Sequence, residues 1–144
     1  MWELGTAQAT GVRFSYAVAG SGPPLILLPG AGGWQLTFAD LGAVLARSRQ
    51  VLAVDPPGQG RTRITDSAAR FDADGVAHAL EEFVAALGLT DVDVVGHSWG
   101  GGFALRLSQL HPHRVRRLVL LAPAGLVVPD AWSFALSGSR CLES

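Results

Sequence analysis

This sequence has one cysteine, no lysine and few charged residues, and each shortage narrows what the protein can be. A single cysteine, Cys141, can form neither an internal disulfide nor a cysteine-based metal site. Charged residues make up 16% of the 144 residues and the formal net charge is -1, so electrostatics favours neither nucleic acid nor an anionic membrane as a partner. Hydrophobic residues make up 49%, the composition of a globular domain with a core.

Long apolar runs are also missing. No run approaches the ~18 residues of a membrane-spanning helix. The N-terminus, Met1 to Gly5, has no basic segment followed by an apolar one, so it does not look like a signal peptide. We therefore expect a cytoplasmic protein. We also expect a single domain over residues 1–144, with an ordered core over about residues 11–125.

Short apolar strands alternate with amphipathic helical patterns along the chain. The strand patterns are Val12–Val18, Leu25–Leu28, Val51–Val54, Val92–Val95 and Val115–Leu121. Leu25–Leu28 and Val51–Val54 are continuously apolar, which is typical of strands inside a parallel sheet, whereas Val12–Val18 alternates apolar and polar residues like a half-buried strand. This alternation predicts an α/β fold with an open, mostly parallel sheet and flanking helices.

Three helical patterns lie between these strands. Their apolar faces contain Phe38, Leu41, Val44 and Leu45 in the first, Val76, Leu80, Phe83 and Leu87 in the second, and Phe103, Leu107 and Leu110 in the third. Asp72 is the expected N-cap of the second helix, and Gly88 is its expected stop. Pro112 marks the end of the third helix.

The pentapeptide Gly96-His97-Ser98-Trp99-Gly100 lies between a strand and a helix. A serine there sits on a sharp turn, a nucleophile elbow, where glycine neighbours let the strand and the helix pack closely. The backbone N–H of Trp99, at the start of the helix, would point to a developing oxyanion. A glycine-rich turn with an incidental serine is the alternative. We predict that Ser98 is a catalytic nucleophile.

The loop Leu28–Trp34 is the second element with chemical character. It follows a central strand, at the carboxyl edge where α/β sheets bind ligands. Ala31 is the predicted second oxyanion donor, and Gly32 is the fallback. Trp34, together with Gly32 and His97, is a candidate for the lining of a substrate pocket. The alternatives are a plain strand-to-helix connector and, for the tryptophan, a core side chain.

Three stretches, in this order, resemble the N-terminal part of the α/β-hydrolase-fold family: Gly30–Gly33, Asp55–Arg61 and Gly96–Gly102. The resemblance covers roughly residues 12–125. It implies a hydrolase whose substrate is a small carbonyl compound, with a serine nucleophile, backbone oxyanion donors and no metal or organic cofactor. Pro29 replaces the histidine that is common before the first glycine of the family's oxyanion loop. That departure removes no catalytic side chain.

The residue at the elbow also narrows the chemistry. Family members similar to haloalkane dehalogenases or epoxide hydrolases use an aspartate there. Ser98 favours esters, thioesters, amides, lactones or carbon–carbon bonds next to a carbonyl. The segment Leu120–Leu126 resembles the lead into the cap region of some carbon–carbon bond hydrolases.

A serine nucleophile needs a histidine base and a carboxylate that orients it, and in this family both follow the serine. His78 precedes Ser98, and the side chain of His97 projects differently from the elbow. His111 and His113 lie a helix of roughly 16–18 Å away. None of the four histidines fits the base.

Two aspartates need an interpretation of their own. Asp130 is the carboxylate in the loop after the last strand, where some family members place the acid, and a surface aspartate is the alternative. Asp55 ends a strand, and we expect it to brace the Gly58–Gly60 turn through local hydrogen bonds.

We therefore expect a truncated chain in which residues 126–144 form an irregular tail or the start of a cap. Whether such a chain is itself an enzyme stays open. The alternative is a catalytically inactive module that acts, if at all, by binding or by self-association along the open edge of the Val115–Leu121 strand.

Overall fold

One seven-stranded sheet organises residues 1–125, the part of the chain that the computed structural model describes. The strands are β1 (Glu3–Ala9), β2 (Val12–Ala19), β3 (Pro24–Leu28), β4 (Gln50–Val54), β5 (Arg63–Ile64), β6 (Val92–His97) and β7 (Val115–Leu121). The helices are α1 (Ala39–Leu45), α2 (Ala73–Ala86) and α3 (Trp99–Leu110), with short 3-10 turns at Gln35–Phe38 and Pro112–Arg114. Asp130 and the predicted tail lie outside the described residues.

The sheet order is β1-β2-β4-β3-β6-β7, with β5 paired to β2. Strands β4, β3, β6 and β7 run parallel, and Leu27 of β3 lies opposite both Ala53 and Val95. Strands β1, β2 and β5 join by antiparallel pairing. The predicted open, mostly parallel α/β sheet is confirmed. Parallel strands align their carboxyl ends, so the loops after β3, β4 and β6 meet at one edge of the sheet.

The described core begins at β1, before its predicted start near residue 11. Strand β1 forms a hairpin with β2, from Glu3 opposite Val18 to Ala9 opposite Val12. Ala7 and Ala9 are buried. The sequence of β1 is rich in small and polar residues, so its own strand propensity is weak. The hairpin pairing, rather than the local sequence, makes it a strand.

Helix α1 differs from its predicted packing. Leu41 and Val44 are 41% and 58% exposed, so placing them on a buried face was wrong. The contact runs through Gly42 instead, where an added Cβ would lie 2.6 Å from the Trp2 ring. Phe38 and Leu45, the other two residues of the predicted face, do pack against the core, beside Leu25, Leu27 and Val51.

Helix α2 forms as its sequence pattern predicts. The Asp72 carboxylate caps it by accepting a hydrogen bond from Gly75 N at 2.9 Å. Val76, Leu80 and Phe83 are almost fully buried, and burial of each such side chain stabilises the fold by about 1.5–3 kcal/mol. The centroids of the Phe83 and Phe14 rings lie 5.1 Å apart, so α2 packs directly against β2. Across residues 1–125, every helix is too short or too polar to span a membrane.

Candidate active site

Ser98 joins β6 to α3 in a strained backbone conformation, with φ 51° and ψ -118°. L-residues rarely adopt positive φ, and such a conformation costs about 1–3 kcal/mol. Three hydrogen bonds hold it. Ser98 N donates to Leu121 O at 3.1 Å, and Ser98 O accepts from Gly102 N at 3.1 Å and from Ala124 N at 2.8 Å. The turn is therefore fixed to the end of β7 as well as to its own helix.

Glycines make this turn sterically feasible. A Cβ on Gly96 would lie 2.5 Å from Gly100 O, and a Cβ on Gly100 would lie 2.5 Å from Pro29 O and closer still to Leu28 O. A Cβ on Gly101 would lie 2.8 Å from Pro123 Cβ. These contacts involve backbone atoms and the rigid ring of Pro123, so no side-chain rotation could relieve them.

The loop after β3 lies against the elbow. A Cβ on Gly30 would lie 3.0 Å from Ser98 Cβ. Gly33 N donates to Gly30 O at 2.9 Å, which closes a tight turn with Ala31 and Gly32 at its centre. Gly32 has φ 73°, the left-handed conformation that glycine adopts without strain. The two segments singled out in the sequence therefore meet at Ser98.

Among residues 1–125, the backbone N–H groups of Ala31 and Trp99 donate to no acceptor, and the same is true of Gly32 and Gly100. Trp99 is the first residue of α3, where an N–H has no partner inside the helix. The helix N-terminus adds a partial positive charge that favours an anion. The arrangement can stabilise negative charge on an oxygen that approaches Ser98.

The candidate lining residues are open to solvent. Trp34 and Trp99 are 40% and 38% exposed, and His97 is exposed as well. The alternative of a core tryptophan is therefore wrong for Trp34. The position of a Cβ on Gly30 lies 3.2 Å from His97 Nδ1, so the imidazole borders the loop after β3.

Asp55 joins the two loops beside the elbow. It is fully buried, and its carboxylate accepts from Gln35 N at 2.6 Å and from Arg61 N at 2.7 Å. The expected brace of the Gly58–Gly60 turn is present. The contact with Gln35 was not expected, because 20 residues separate the two in sequence. Asp55 thus fixes the loop after β3, which carries Ala31, relative to the loop after β4.

Two amide oxygens in these same loops are buried without a donor among residues 1–125: Gln35 Oε1 and Gln59 Oε1. Buried acceptors are normally paired with protein or water. Each of these two oxygens can therefore accept a further hydrogen bond.

The other three histidines lie together at the opposite end of α3. His111 follows the last residue of that 12-residue helix, and its Nε2 is 2.9 Å from Nδ1 of His78 in α2. The centroids of the His113 and His111 rings are 6.1 Å apart. A helix of this length spans about 18 Å, which separates all three imidazoles from Ser98.

A strained residue between a central parallel strand and a helix, flanked by a glycine turn from the neighbouring strand, defines the class of α/β-hydrolase-like proteins. A family model described as the alpha/beta hydrolase fold matches residues 23–138. The chain belongs to that family.

The chain is similar to hydrolases whose names denote several substrates. It is 38% identical over 129 residues to a 2-hydroxymuconate semialdehyde hydrolase from a Pseudomonas strain, covering 84% of this chain and 44% of that protein. It is 36% identical over 125 residues to a 2-hydroxy-6-oxo-6-(2'-aminophenyl)hexa-2,4-dienoic acid hydrolase from Metapseudomonas resinovorans, covering 84% and 42%. A solved epoxide hydrolase structure superposes with a TM-score of 0.79 at 31% identity, covering 90% and 47%. The chain spans less than half the length of each.

Proposed function

We propose that this protein is a serine-nucleophile hydrolase of the α/β-hydrolase family that cleaves an ester-like bond or a carbon–carbon bond next to a carbonyl. The observation that carries the proposal is the strained Ser98 together with the N–H groups of Ala31 and Trp99, which donate to no acceptor among residues 1–125. A strained turn persists only where the surrounding structure enforces it, and such strain is concentrated at functional sites.

In the proposed reaction, Ser98 Oγ attacks the carbonyl carbon while its proton passes to a histidine. The carbonyl oxygen becomes an oxyanion that the Ala31 and Trp99 N–H groups stabilise. Collapse of the tetrahedral intermediate expels the leaving group, which takes the proton, and leaves an acyl group on Ser98. The same histidine then takes a proton from a water molecule whose oxygen attacks the acyl carbon; the bond to Ser98 Oγ breaks, the histidine returns the proton to Oγ, and the acid leaves. We assign no metal or organic cofactor to these steps.

The histidine and the carboxylate that complete this reaction are proposed to lie outside the described residues. His78, His111 and His113 are at the wrong end of α3, and in this fold the base follows the nucleophile at a distance in sequence. The relatives are more than twice as long as the part that this chain matches, so they have room for both groups.

The substrate class rests on Ser98 and on the relatives. Two similar proteins are named for a semialdehyde and for an oxo-dienoic acid, which are both carbonyl compounds. A serine forms a hydrolysable acyl intermediate from a carbonyl substrate. We therefore place a small carbonyl compound, rather than an epoxide, in the site.

The test uses this chain extended by the downstream codons of its gene, with p-nitrophenyl esters and a 6-oxo-hexadienoate as substrates. We expect hydrolysis that falls at least ~10⁴-fold in Ser98→Ala. Ser67→Ala changes an exposed serine in another loop and serves as the matched control. Undiminished hydrolysis in Ser98→Ala would refute the nucleophile, and activity on an epoxide alone would refute the substrate class.

The second candidate is a non-catalytic module that associates along β7. Val119 and Leu121 of that strand are 49% and 40% exposed, and exposed apolar strand edges tend to pair. This candidate predicts concentration-dependent oligomers that Val119→Lys abolishes, together with no hydrolysis by the extended protein. Hydrolysis by that protein as a monomer would exclude it.

A further inference from the structure

We propose that Glu81, His111 and His113 form a zinc site that fastens α2 to the connection between α3 and β7. Glu81 lies in α2, His111 directly follows α3, and His113 lies in the 3-10 turn before β7. The cluster is distinct from the candidate active site, because the length of α3 separates it from Ser98. The proposal does not depend on the proposed hydrolase function.

The spacing of the donor atoms suits one metal ion. One ligand atom from each of the three residues lies within 4.8 Å of the other two. Two ligands on a tetrahedral zinc lie roughly 3–4 Å apart, given bonds of about 2.0–2.1 Å. Small side-chain rotations would therefore bring all three donors onto a common ion without a backbone change.

The Glu81 carboxylate is held in place with one oxygen free. Arg114 Nε and Nη2 both donate to Glu81 Oε1, at 2.9 Å and 2.7 Å. Glu81 Oε2 receives no hydrogen bond from any residue among 1–125, so it is available to a cation. An outer partner that orients a ligand is a common feature of metal sites. Arg114 also offsets the carboxylate charge, so we expect moderate rather than tight affinity.

His78 borders the cluster through its contact with His111. Its Nδ1 lies 2.9 Å from His111 Nε2, so one imidazole donates a hydrogen bond to the other. A hydrogen-bond partner of this kind orients a metal-binding imidazole.

The chemistry of the donors selects the ion. Imidazole nitrogens with one carboxylate suit zinc and its first-row neighbours, whereas magnesium and calcium prefer sites made of oxygen ligands. The ion would join α2 to the connection after α3, which lies about 30 residues further along the sequence (Glu81 to His111). Its expected effect is on stability rather than on chemistry at Ser98.

The test measures zinc binding by the tag-free 144-residue chain after treatment with a chelator. Cys141→Ser in every sample removes the single thiol as a competing ligand. Zinc affinity is measured by competition with a chromophoric chelator, and the site is probed by cobalt(II) absorption. We expect one zinc per chain, a zinc-dependent rise in the melting temperature, and at least tenfold weaker binding in His113→Ala and in His111→Ala.

His97→Ala is the matched control, because it removes the remaining histidine, which lies outside the cluster. It should leave zinc affinity and the cobalt spectrum unchanged. His113 is exposed, so His113→Ala should fold, and circular dichroism checks this. Wild-type affinity in His113→Ala or His111→Ala, or the absence of saturation at one zinc per chain, would overturn the proposal.

Discussion

The two edges of the parallel sheet are built in opposite ways. At the carboxyl edge, Ser98 and the turns around Gly30 and Gly100 depend on backbone groups packed closely where side chains are absent. At the amino edge, where β6 and β7 begin, ion pairs between charged side chains link neighbouring strands. We therefore expect an added side-chain atom to destabilise the carboxyl edge and the removal of a charge to destabilise the amino edge.

Asp93 shows what holds the amino edge. It lies near the start of β6 with its side chain only 4% exposed. Arg116 donates to it at 2.9 Å and 3.0 Å, and Arg49 donates from another side. The hydrogen bonds from Arg116 and then Arg49 hold the pKa of the Asp93 carboxyl below its usual value, against the opposing effect of burial. Asp93 therefore stays ionised as a buried charge with two partners.

The largest effect is expected at the carboxyl edge, from Gly100→Ala. The added Cβ overlaps the carbonyl oxygens of Leu28 and Pro29, so β3 and α3 must separate. We expect a loss of about 5 kcal/mol or more in the free energy of unfolding, measured with urea. Gly32→Ala is the control, because it has positive φ with no neighbour within 4 Å, and it should cost only about 1 kcal/mol. An equal loss in the free energy of unfolding for the two variants would mean that close backbone packing at Gly100 does not limit the residue there.

The next effect is expected at the amino edge, from Asp93→Asn. The variant removes a buried carboxylate that accepts from two arginines, but the Arg49 and Arg116 side chains stay 22% and 39% exposed and keep part of their water, so we expect a cost of about 1–3 kcal/mol. Asp40→Asn, at an exposed position in α1, should change stability by less than about 0.5 kcal/mol. Urea unfolding of both variants measures the difference. A cost for Asp93→Asn as small as for Asp40→Asn would show that the arginines are solvated instead.

A smaller effect at Asp93 is expected in the pH dependence of the free energy of unfolding. Because the pKa of Asp93 is lower in the folded protein, its contribution is fully present above the ordinary carboxyl pKa, near ~3.9. The contribution is lost as the pH falls through the lower, folded value. The free energy of unfolding of the wild type should therefore fall more steeply on acidification than that of Asp93→Asn. Parallel pH profiles would contradict this.

The smallest effect is a gain at the carboxyl edge. Ser98→Gly relieves the positive φ, whereas Ser98→Ala keeps it, so the glycine variant should be more stable than the alanine variant by about 1 kcal/mol. Thermal and urea unfolding of the pair would measure this. If the alanine variant is equally stable, the turn stores no strain.

The two edges also differ in what the sequence could reveal. The elbow was predictable because Gly96–Gly102 is contiguous and each glycine reports a crowded backbone position. The partners of Asp93, Arg49 and Arg116, lie 44 and 23 residues from it, and only the packing of the sheet brings them together. The exposure of Leu41 was missed for a related reason, since the Gly42 contact with the Trp2 indole is set by tertiary structure.

The most direct test of the account is whether Ser98 reacts as a nucleophile. The extended protein and the 144-residue chain are treated with a fluorophosphonate probe, and the labelled peptide is identified by mass spectrometry. We expect rapid labelling of Ser98 in the extended protein, weak or no labelling in the 144-residue chain, and none in Ser98→Ala. Labelling of a different serine, or an extended and folded protein that does not react, would contradict the assignment of Ser98 as the nucleophile.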